Sequence, residues 1–353
     1  MLKNLQEKVG IFIPTYNRLH YLKEALLSAL TQSHSDVSIL TIDDGSTDGT
    51  PEYLQEIKDP RFSYVVNEYN LGLARTINKG IHIFPENIGW CTILGDDDVL
   101  EEDCVQGVLE AVRFFTPTSI VHGHRLIIDQ HGNFLRHAKD SPPEESALDY
   151  LVNRLLKCRE TYLTGVFFRT EMFRKIGGYP SFRTGTTADD AFIFALALQD
   201  RLVYTKNAKT KQRFHQDAES LSCRDIGAIL ETTEQFRSYC IEMASRYSNT
   251  RVIPPNVLTG ILERYAREIN SDCWLQYYRN TAGSKDSLDR TSNMPQMPNI
   301  YPERFSRRTR MDAHIISMFK IFPENYFTYR AFWFFIECIR NWGWGKKFNW
   351  SSA

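Results

Sequence analysis

Apolar residues recur along the first hundred positions in two alternating rhythms. Short hydrophobic runs at residues 9–13, 37–42, 62–66 and 90–94 read as buried strands. Between them come stretches with helical spacing: Tyr21, Leu22, Ala25, Leu26, Ala29 and Leu30, then 50–57 with Ser46 or Thr47 near its N-cap, then 73–83. This alternation predicts parallel βαβ units, an α/β sheet with helices on both faces. Further on the rhythm is mixed. Residues 102–115 read as helix, 119–129 as strand, and Ser141-Pro-Pro-Glu-Glu as the opening of a helix with Pro142 and Pro143 in its first turn. A strand at 161–169, a turn at 177–180, a helix at 188–198 and two late edge strands at 202–207 and 211–214 follow. From about Arg224 long helical periodicity takes over at 226–247, 256–278 and 313–322, broken by a polar, Pro-rich loop at 281–302.

In such sheets ligands bind where the carboxyl ends of the strands gather. Those ends read Pro14-Thr15-Tyr16-Asn17-Arg18, Asp43-Asp44-Gly45-Ser46 and Gly95-Asp96-Asp97-Asp98, so polar residues from three segments meet at one edge. Three adjacent carboxylates repel one another and are best tolerated beside a cation. Hard oxygen donors of this kind suit Mg²⁺ or Mn²⁺ shared with phosphate oxygens; an acidic turn eased by a helix dipole is the plain alternative. A carboxylate at Asp43 or Asp44 can accept from a nucleobase N–H or a ribose hydroxyl, or can simply build an Asx-turn. Arg18 and Arg75 can fork onto a diphosphate or lie solvated on the surface. Asp189-Asp190 opens a helix, where carboxylates also serve as caps. Arg213-Phe214-His215 follows, then Ser220 and Ser222, and a neutral imidazole can complete a metal shell or bond a phosphate.

Composition narrows the class. The chain has 353 residues, 42% hydrophobic and 24% charged, which is globular and long enough for a sizeable core. Its net charge of −1 argues against a general nucleic-acid binder. The balance is uneven, with a net −6 over residues 1–222 and +5 over 223–353. Seven widely spaced cysteines without a CxxC pair point to free thiols in a reducing compartment. There is no signal-peptide pattern and no apolar run of membrane-spanning length, so the expectation is a cytoplasmic protein, or one peripheral on the inner face of the cytoplasmic membrane.

Taken together the motifs resemble the inverting glycosyltransferase family 2, with its GT-A fold. IPTYNR (13–18), DDGSTD (43–48), NLGLARTINKGI (70–81), LGDDD (94–98), the blocks TGVFFR, KIGGY and ADDAFIFAL, and RFH…SLS stand in the family's order over roughly residues 8–222. The resemblance implies a nucleotide diphosphate sugar donor, UDP favoured, bound by Pro14, Thr15, Tyr16, Asn17, Arg18, Asp43, Asp44, Asn70, Arg75, Asp96 and Asp97. It implies Mg²⁺ or Mn²⁺ on Asp96, Asp98 and His215, a catalytic base at Asp190 or Asp189, and acceptor-side positions at Thr164, Gly165 and Tyr179. The acceptor would be a glycan or polyprenyl-linked saccharide of bacterial surface-polysaccharide assembly. Two departures stand out: Gly95 replaces a common Asp, and Asp189-Asp190 replaces the usual Glu-Asp. A Gln-x-x-Arg-Trp motif, the mark of processive relatives, is absent, which favours one sugar per encounter.

The expected organisation is a GT-A domain at 1–222 and a mainly helical region at 223–353 with a basic, aromatic tail. Residues 304–353 hold nine basic and three acidic side chains, and four of six tryptophans lie between 333 and 350. An amphipathic stretch at 327–350 suits a membrane surface, packing on the catalytic domain, or a homo-oligomer contact. Two other classes fit the sequence less well. A sugar-phosphate nucleotidylyltransferase needs a Gly-rich loop that residues 11–18 lack, and a non-catalytic nucleotide-sugar-binding scaffold would be expected to lose the carboxylates present here.

Overall fold

The computed structural model describes residues 7–282 apart from 116, 161, 216–225, 248–252 and 254. Ser220, Ser222, Cys223, the expected helix at 313–322 and the tail at 327–350 therefore lie outside the described residues. The chain divides into two compact units, Met1–Val252 and Ile253–Ala353.

The first unit is built on a ten-stranded mixed sheet. Its parallel half holds β1 (Val9–Thr15), β2 (Val37–Asp43), β3 (Phe62–Val66) and β4 (Trp90–Ile93), in the order β3-β2-β1-β4. The connections are helices α1 (Leu19–Leu30), α2 (Thr50–Glu56) and α3 (Leu73–Ile83), as the 3.6-residue spacing predicts. Side chains alternate across β1. Val9, Ile11 and Ile13 join Leu22, Ala25, Leu26 and Ala29 of α1 in one core, while Phe12 meets Gly80 of α3 on the other face.

Beyond β4 come the two-residue β5 (Val99–Leu100), α4 (Cys104–Phe114), β6 (Ile120–Ile128), β7 (Phe134–His137), β8 (Glu144–Glu145) and α5 (Ala147–Leu155). Then follow β9 (Val166–Arg169), α6 (Thr170–Lys175), α7 (Ala188–Ala197) and β10 (Leu202–Arg213). The sheet continues β4-β9-β6-β10-β5, with β9 antiparallel to both its neighbours. Helix Ile226–Tyr247 packs against α7, so the first unit runs on past residue 222. In the second unit, helix Pro255–Ala282 buries Val257, Leu258, Ile261, Leu262 and Tyr265.

Three local expectations need correction. The 202–207 and 211–214 runs are one strand with a register shift between Thr205 and Lys209, and it lies between β6 and β5 rather than at an edge. Pro142 and Pro143 do not open a helix. Pro143 O accepts from Tyr204 N, Glu144–Glu145 pairs with β10, and α5 starts at a Ser146–Asp149 capping box. Neither Ser46 nor Thr47 caps α2. Its N-cap is Gly49 in the left-handed region, and Asp48 Oδ1 accepts from Thr50 N at 3.2 Å and from its hydroxyl at 2.6 Å.

Candidate active site

The carboxyl ends of β1, β2, β4 and β10 and the start of β9 converge, because strand polarity brings the loops after parallel strands to one edge. At its centre lies the Asp96–Asp98 loop. Asp96 Oδ2 accepts from the Thr15 hydroxyl at 2.8 Å, and Oδ1 from Arg18 Nη1 at 3.2 Å. The same Arg18 nitrogen reaches Asp97 Oδ2 at 2.9 Å, and His215 Nε2 lies 3.0 Å from that oxygen. Asp98 turns inward: Oδ1 accepts from Arg213 N at 2.8 Å, and the Thr164 hydroxyl bonds the carboxyl. Thr164 Oγ1 also accepts from Gly95 N at 3.0 Å, so Thr164 sits beneath the acidic loop. A Cβ on Gly95 would lie 2.9 Å from Asp97 Oδ1 and 3.1 Å from Asp98 Oδ2, so a larger residue at this position would displace those carboxylates.

Arg213 is the residue whose role the sequence reading left unassigned. Besides its backbone bond to Asp98, Nε donates to Asp97 O at 2.8 Å and Nη1 to Gln130 O at 3.2 Å. Nη2 reaches Glu24 on α1 at 2.6 Å, and the guanidinium stacks on Tyr21, 4.9 Å from the ring centroid. One buried side chain thus fastens the acidic loop to α1 and to the β6–β7 turn. It also fixes the strand end that delivers His215.

Burial and mutual repulsion show in the acid strengths. Desolvation, then the Asp97 charge, pushes the Asp96 carboxyl up to about 6, and the same two causes raise Asp98 further. His215 Nδ1 is buried and has no partner among the described residues. Carboxylates this crowded, with an unused imidazole nitrogen beside them, fit a divalent cation. No ready-made group of three His, Cys, Asp or Glu ligands exists among the described residues. That suits Mg²⁺ or Mn²⁺ held by one or two protein groups together with diphosphate oxygens.

The neighbouring wall is a cross-linked loop pair. Asn17 adopts a left-handed φ of 52°, its N–H donates to Ser46 Oγ at 2.8 Å, and its Oδ1 accepts from Thr47 N at 2.8 Å. Asp44 accepts from Asn67 Nδ2 at 2.7 Å, Leu71 N at 3.0 Å and Gly72 N at 2.9 Å, holding the start of α3. Asn70 Oδ1 joins at Gly72 N, 2.8 Å away. Asn17, Asp44 and Asn70 therefore shape the wall through these bonds. Asp43 takes Ser46 N on Oδ1 and leaves Oδ2 without a partner among the described residues; burial raises its pKa. Pro14 is buried in β1, whereas Tyr16 and Arg75 are exposed at the rim.

On the far side, Asp189 and Asp190 begin α7 in different surroundings. Asp190 is 4% exposed. Its Oδ1 accepts from Tyr150 Oη at 2.5 Å and Arg154 Nε at 2.8 Å, and Oδ2 from Arg154 Nη2 at 3.1 Å. Asp189 is half-buried and accepts from Tyr179 Oη at 2.6 Å. Tyr179 is pinned through its backbone to Asn78 of α3 at 2.7 and 2.9 Å, which ties this pair to the helix that Asp44 holds. Gly165 has a φ of 80° and abuts Thr210.

Comparison with known proteins places this geometry. Residues 10–177 match the family described as Glycosyl transferase family 2. The chain is 24% identical over 248 residues to an uncharacterized glycosyltransferase of Nostoc sp., covering 69% of this chain and 74% of that protein. It is 32% identical over 137 residues to chondroitin synthase of Escherichia coli, covering 38% of this chain but 19% of that protein. The fold resembles that of S. aureus TarS 1-349, solved in complex with UDP-GlcNAc, with a TM-score of 0.58 at 15% identity over 90% of this chain and 82% of TarS 1-349. With strand-end carboxylates gathered at one end of the sheet and these likenesses, residues 10–177 are those of a family 2 glycosyltransferase domain, on a sheet of the GT-A fold.

Proposed function

We propose that this chain transfers one sugar from a nucleotide diphosphate sugar, UDP-linked by preference, to a hydroxyl of a glycan or lipid-linked saccharide, with inversion and with a divalent cation. The observation that carries the reading is the gathering of Thr15, Arg18, Asp96, Asp97 and His215 into one bonded cluster at the strand ends, joined to Asp98 through Arg213. The UDP-GlcNAc held by TarS supports UDP among donor nucleotides. A relative named chondroitin synthase supports a glycan acceptor.

Of Asp96, Asp98 and His215, which do not form a three-ligand set, one or two would hold the cation, which when bound would supply Lewis-acid stabilisation of the departing nucleoside diphosphate. Arg18 sits where its guanidinium can exchange a carboxylate for a phosphate oxygen. The acceptor oxygen forms its bond to the anomeric carbon as the bond to the diphosphate oxygen breaks on the opposite face, and its proton passes to a carboxylate of α7. Two assignments of that base stand. Motif order points to Asp190. The Arg154 clamp and burial of Asp190 favour Asp189, which is half-buried and accepts from the Tyr179 phenol. The tail at 327–350 as a membrane-surface contact, a location at the inner face of the membrane, and self-association belong to the same reading. No helix among the described residues is long and apolar enough to cross a membrane.

The test is a panel of nucleotide sugars offered to purified protein with Mn²⁺ or Mg²⁺, reading release of nucleoside diphosphate. Release with one donor class, abolished by EDTA and restored by the ion, is expected. No release with any donor would overturn the transferase reading, and full activity in metal-free buffer would overturn the role of the cation.

A further inference from the structure

Behind the acceptor side lies a second buried cluster that the donor chemistry does not use. Arg125 and His122 come from β6, Arg159 from the segment after α5, and Glu145 from β8. Arg159 is 1% exposed and ion-paired with Glu145 through Nη1. Arg125 is 4% exposed and has no such counterion among the described residues. Its guanidinium lies 4.9 Å from the Tyr162 ring centroid, Nη2 is 3.3 Å from His122 Nδ1, and Nε is buried without a partner.

The imidazole makes the mismatch explicit. Arg159 Nη2 faces His122 Nε2 at 3.2 Å while Arg125 Nη2 faces Nδ1 at 3.3 Å. A neutral histidine has one accepting nitrogen and one N–H, and guanidinium groups only donate. In either tautomer one contact therefore sets donor against donor. Protonation would worsen it, and burial, then Arg159 and Arg125, already pushes the His122 pKa far down. The four residues carry one net positive charge, offset only from a distance by Glu160, which is itself paired with Arg136, and they lack at least two hydrogen-bond acceptors.

Its position connects it to the site. Arg125 is registered with Thr210, which abuts Gly165 next to Thr164. Arg159 stacks 4.7 Å from the ring centroid of Tyr150, the phenol that bonds Asp190. We propose that Arg125, backed by His122 and Arg159, is a subsite for an anionic group, phosphate or carboxylate, carried by the acceptor. A second acceptor oxygen beside Arg125 Nε and Nη2 supplies what the protein itself omits. This inference rests on the transferase reading above only for the word acceptor; the anion site is testable without turnover.

The full chain is titrated with sodium phosphate and, separately, sodium glucuronate, each with and without saturating UDP and Mg²⁺, reading the melting temperature. Either anion should raise it by about 2 °C or more, with UDP present as well as absent. A response to phosphate alone assigns a phosphorylated acceptor, and one to glucuronate alone a uronic acid. R125M should melt at or above the wild type in anion-free buffer, because a buried cation without a counterion is replaced by an apolar chain of similar length. It should lose the anion response and keep the UDP shift, while R125K retains part of the anion response. The proposal is overturned by a wild type indifferent to both anions, or by a phosphate shift that UDP removes, which would place the ion on the donor site. It is equally overturned by an R125M that is unfolded or clearly less stable than the wild type, which would make Arg125 a structural cation. A wild type that ignores UDP would instead sink the donor reading and leave the anion result standing.

Discussion

Replacing Asp190 by Asn keeps the shape of the side chain and removes its charge. In the native protein that carboxylate accepts from both arms of Arg154, at 2.8 and 3.1 Å, and from Tyr150 at 2.5 Å. An amide has one accepting oxygen, so in either orientation its NH₂ confronts an Arg154 N–H. Breaking a buried ion pair costs about 3–5 kcal/mol, and losing one hydrogen bond to a charged group about 1.5–3 kcal/mol. The Asp190 side chain is 5% exposed but that of Arg154 is 22%, so solvent softens the loss to about 2–3 kcal/mol. For a folded unit of this size that lowers Tm by roughly 4–12 °C. Asp189→Asn, at a half-buried residue bonded by a phenol, should stay within about 1 kcal/mol of wild type. Thermal unfolding by circular dichroism gives the stability, and donor turnover measured well below both transitions gives kcat. If Asp189 accepts the proton, Asp189→Asn is fully folded with kcat reduced by orders of magnitude. A D190N protein that melts like the wild type would refute the clamp and return the base to Asp190.

Arg213→Lys keeps the charge but loses the fork that joins Asp97, Gln130 and Glu24; it should weaken UDP–Mn²⁺ binding at least tenfold by calorimetry. Undiminished binding would show that the acidic loop holds itself. Because His122 is buried neutral with its pKa pushed below the ordinary 6.5, the folded state binds fewer protons than the unfolded one, so its contribution is present above pH 6.5 and lost as pH falls. Between pH 6 and 5 the wild type should lose about 1.4 kcal/mol per pH unit relative to H122Q in urea melts, and parallel profiles would contradict this. Gly107 of α4 rests on the irregular part of β10, where a Cβ would lie 2.5 Å from the Asn207 carbonyl carbon. G107A should therefore lose about 1–3 kcal/mol in denaturant unfolding.

The donor half was legible because its chemistry and its periodicity coincide. Each apolar run ends at the residues that form the site, and β1 to β4 and α1 to α3 fall within two residues of their expected bounds. The acceptor half was not. Helix α6 is only six residues long, β5 and β8 are two residues each, and such pieces carry no period to detect. The two runs of β10 looked separate because the shift between Thr205 and Lys209 breaks the alternation. Asn17 and Asp44 stand out in the sequence as candidate site residues, but their bonds to Thr47, Leu71 and Gly72 depend on loop geometry that spacing does not encode. Arg125, Arg154 and Arg159 looked like ordinary charges, since only tertiary burial separates a solvated arginine from an enclosed one.

The reversed strand β9 has a consequence for how this enzyme could diversify. The segment between β6 and β9 starts and ends at the same end of the sheet, with Ile120 registered on Phe168 and His122 on Val166 as a fixed frame. Everything enclosed between those anchors, from the β7 hairpin through α5 to Thr164, forms a cassette. Its length and side chains can be exchanged as long as Thr164 and the Gln130 carbonyl, which brace the acidic loop, are kept. Grafting that cassette between relatives should carry acceptor choice with it, while the activated sugar stays the same.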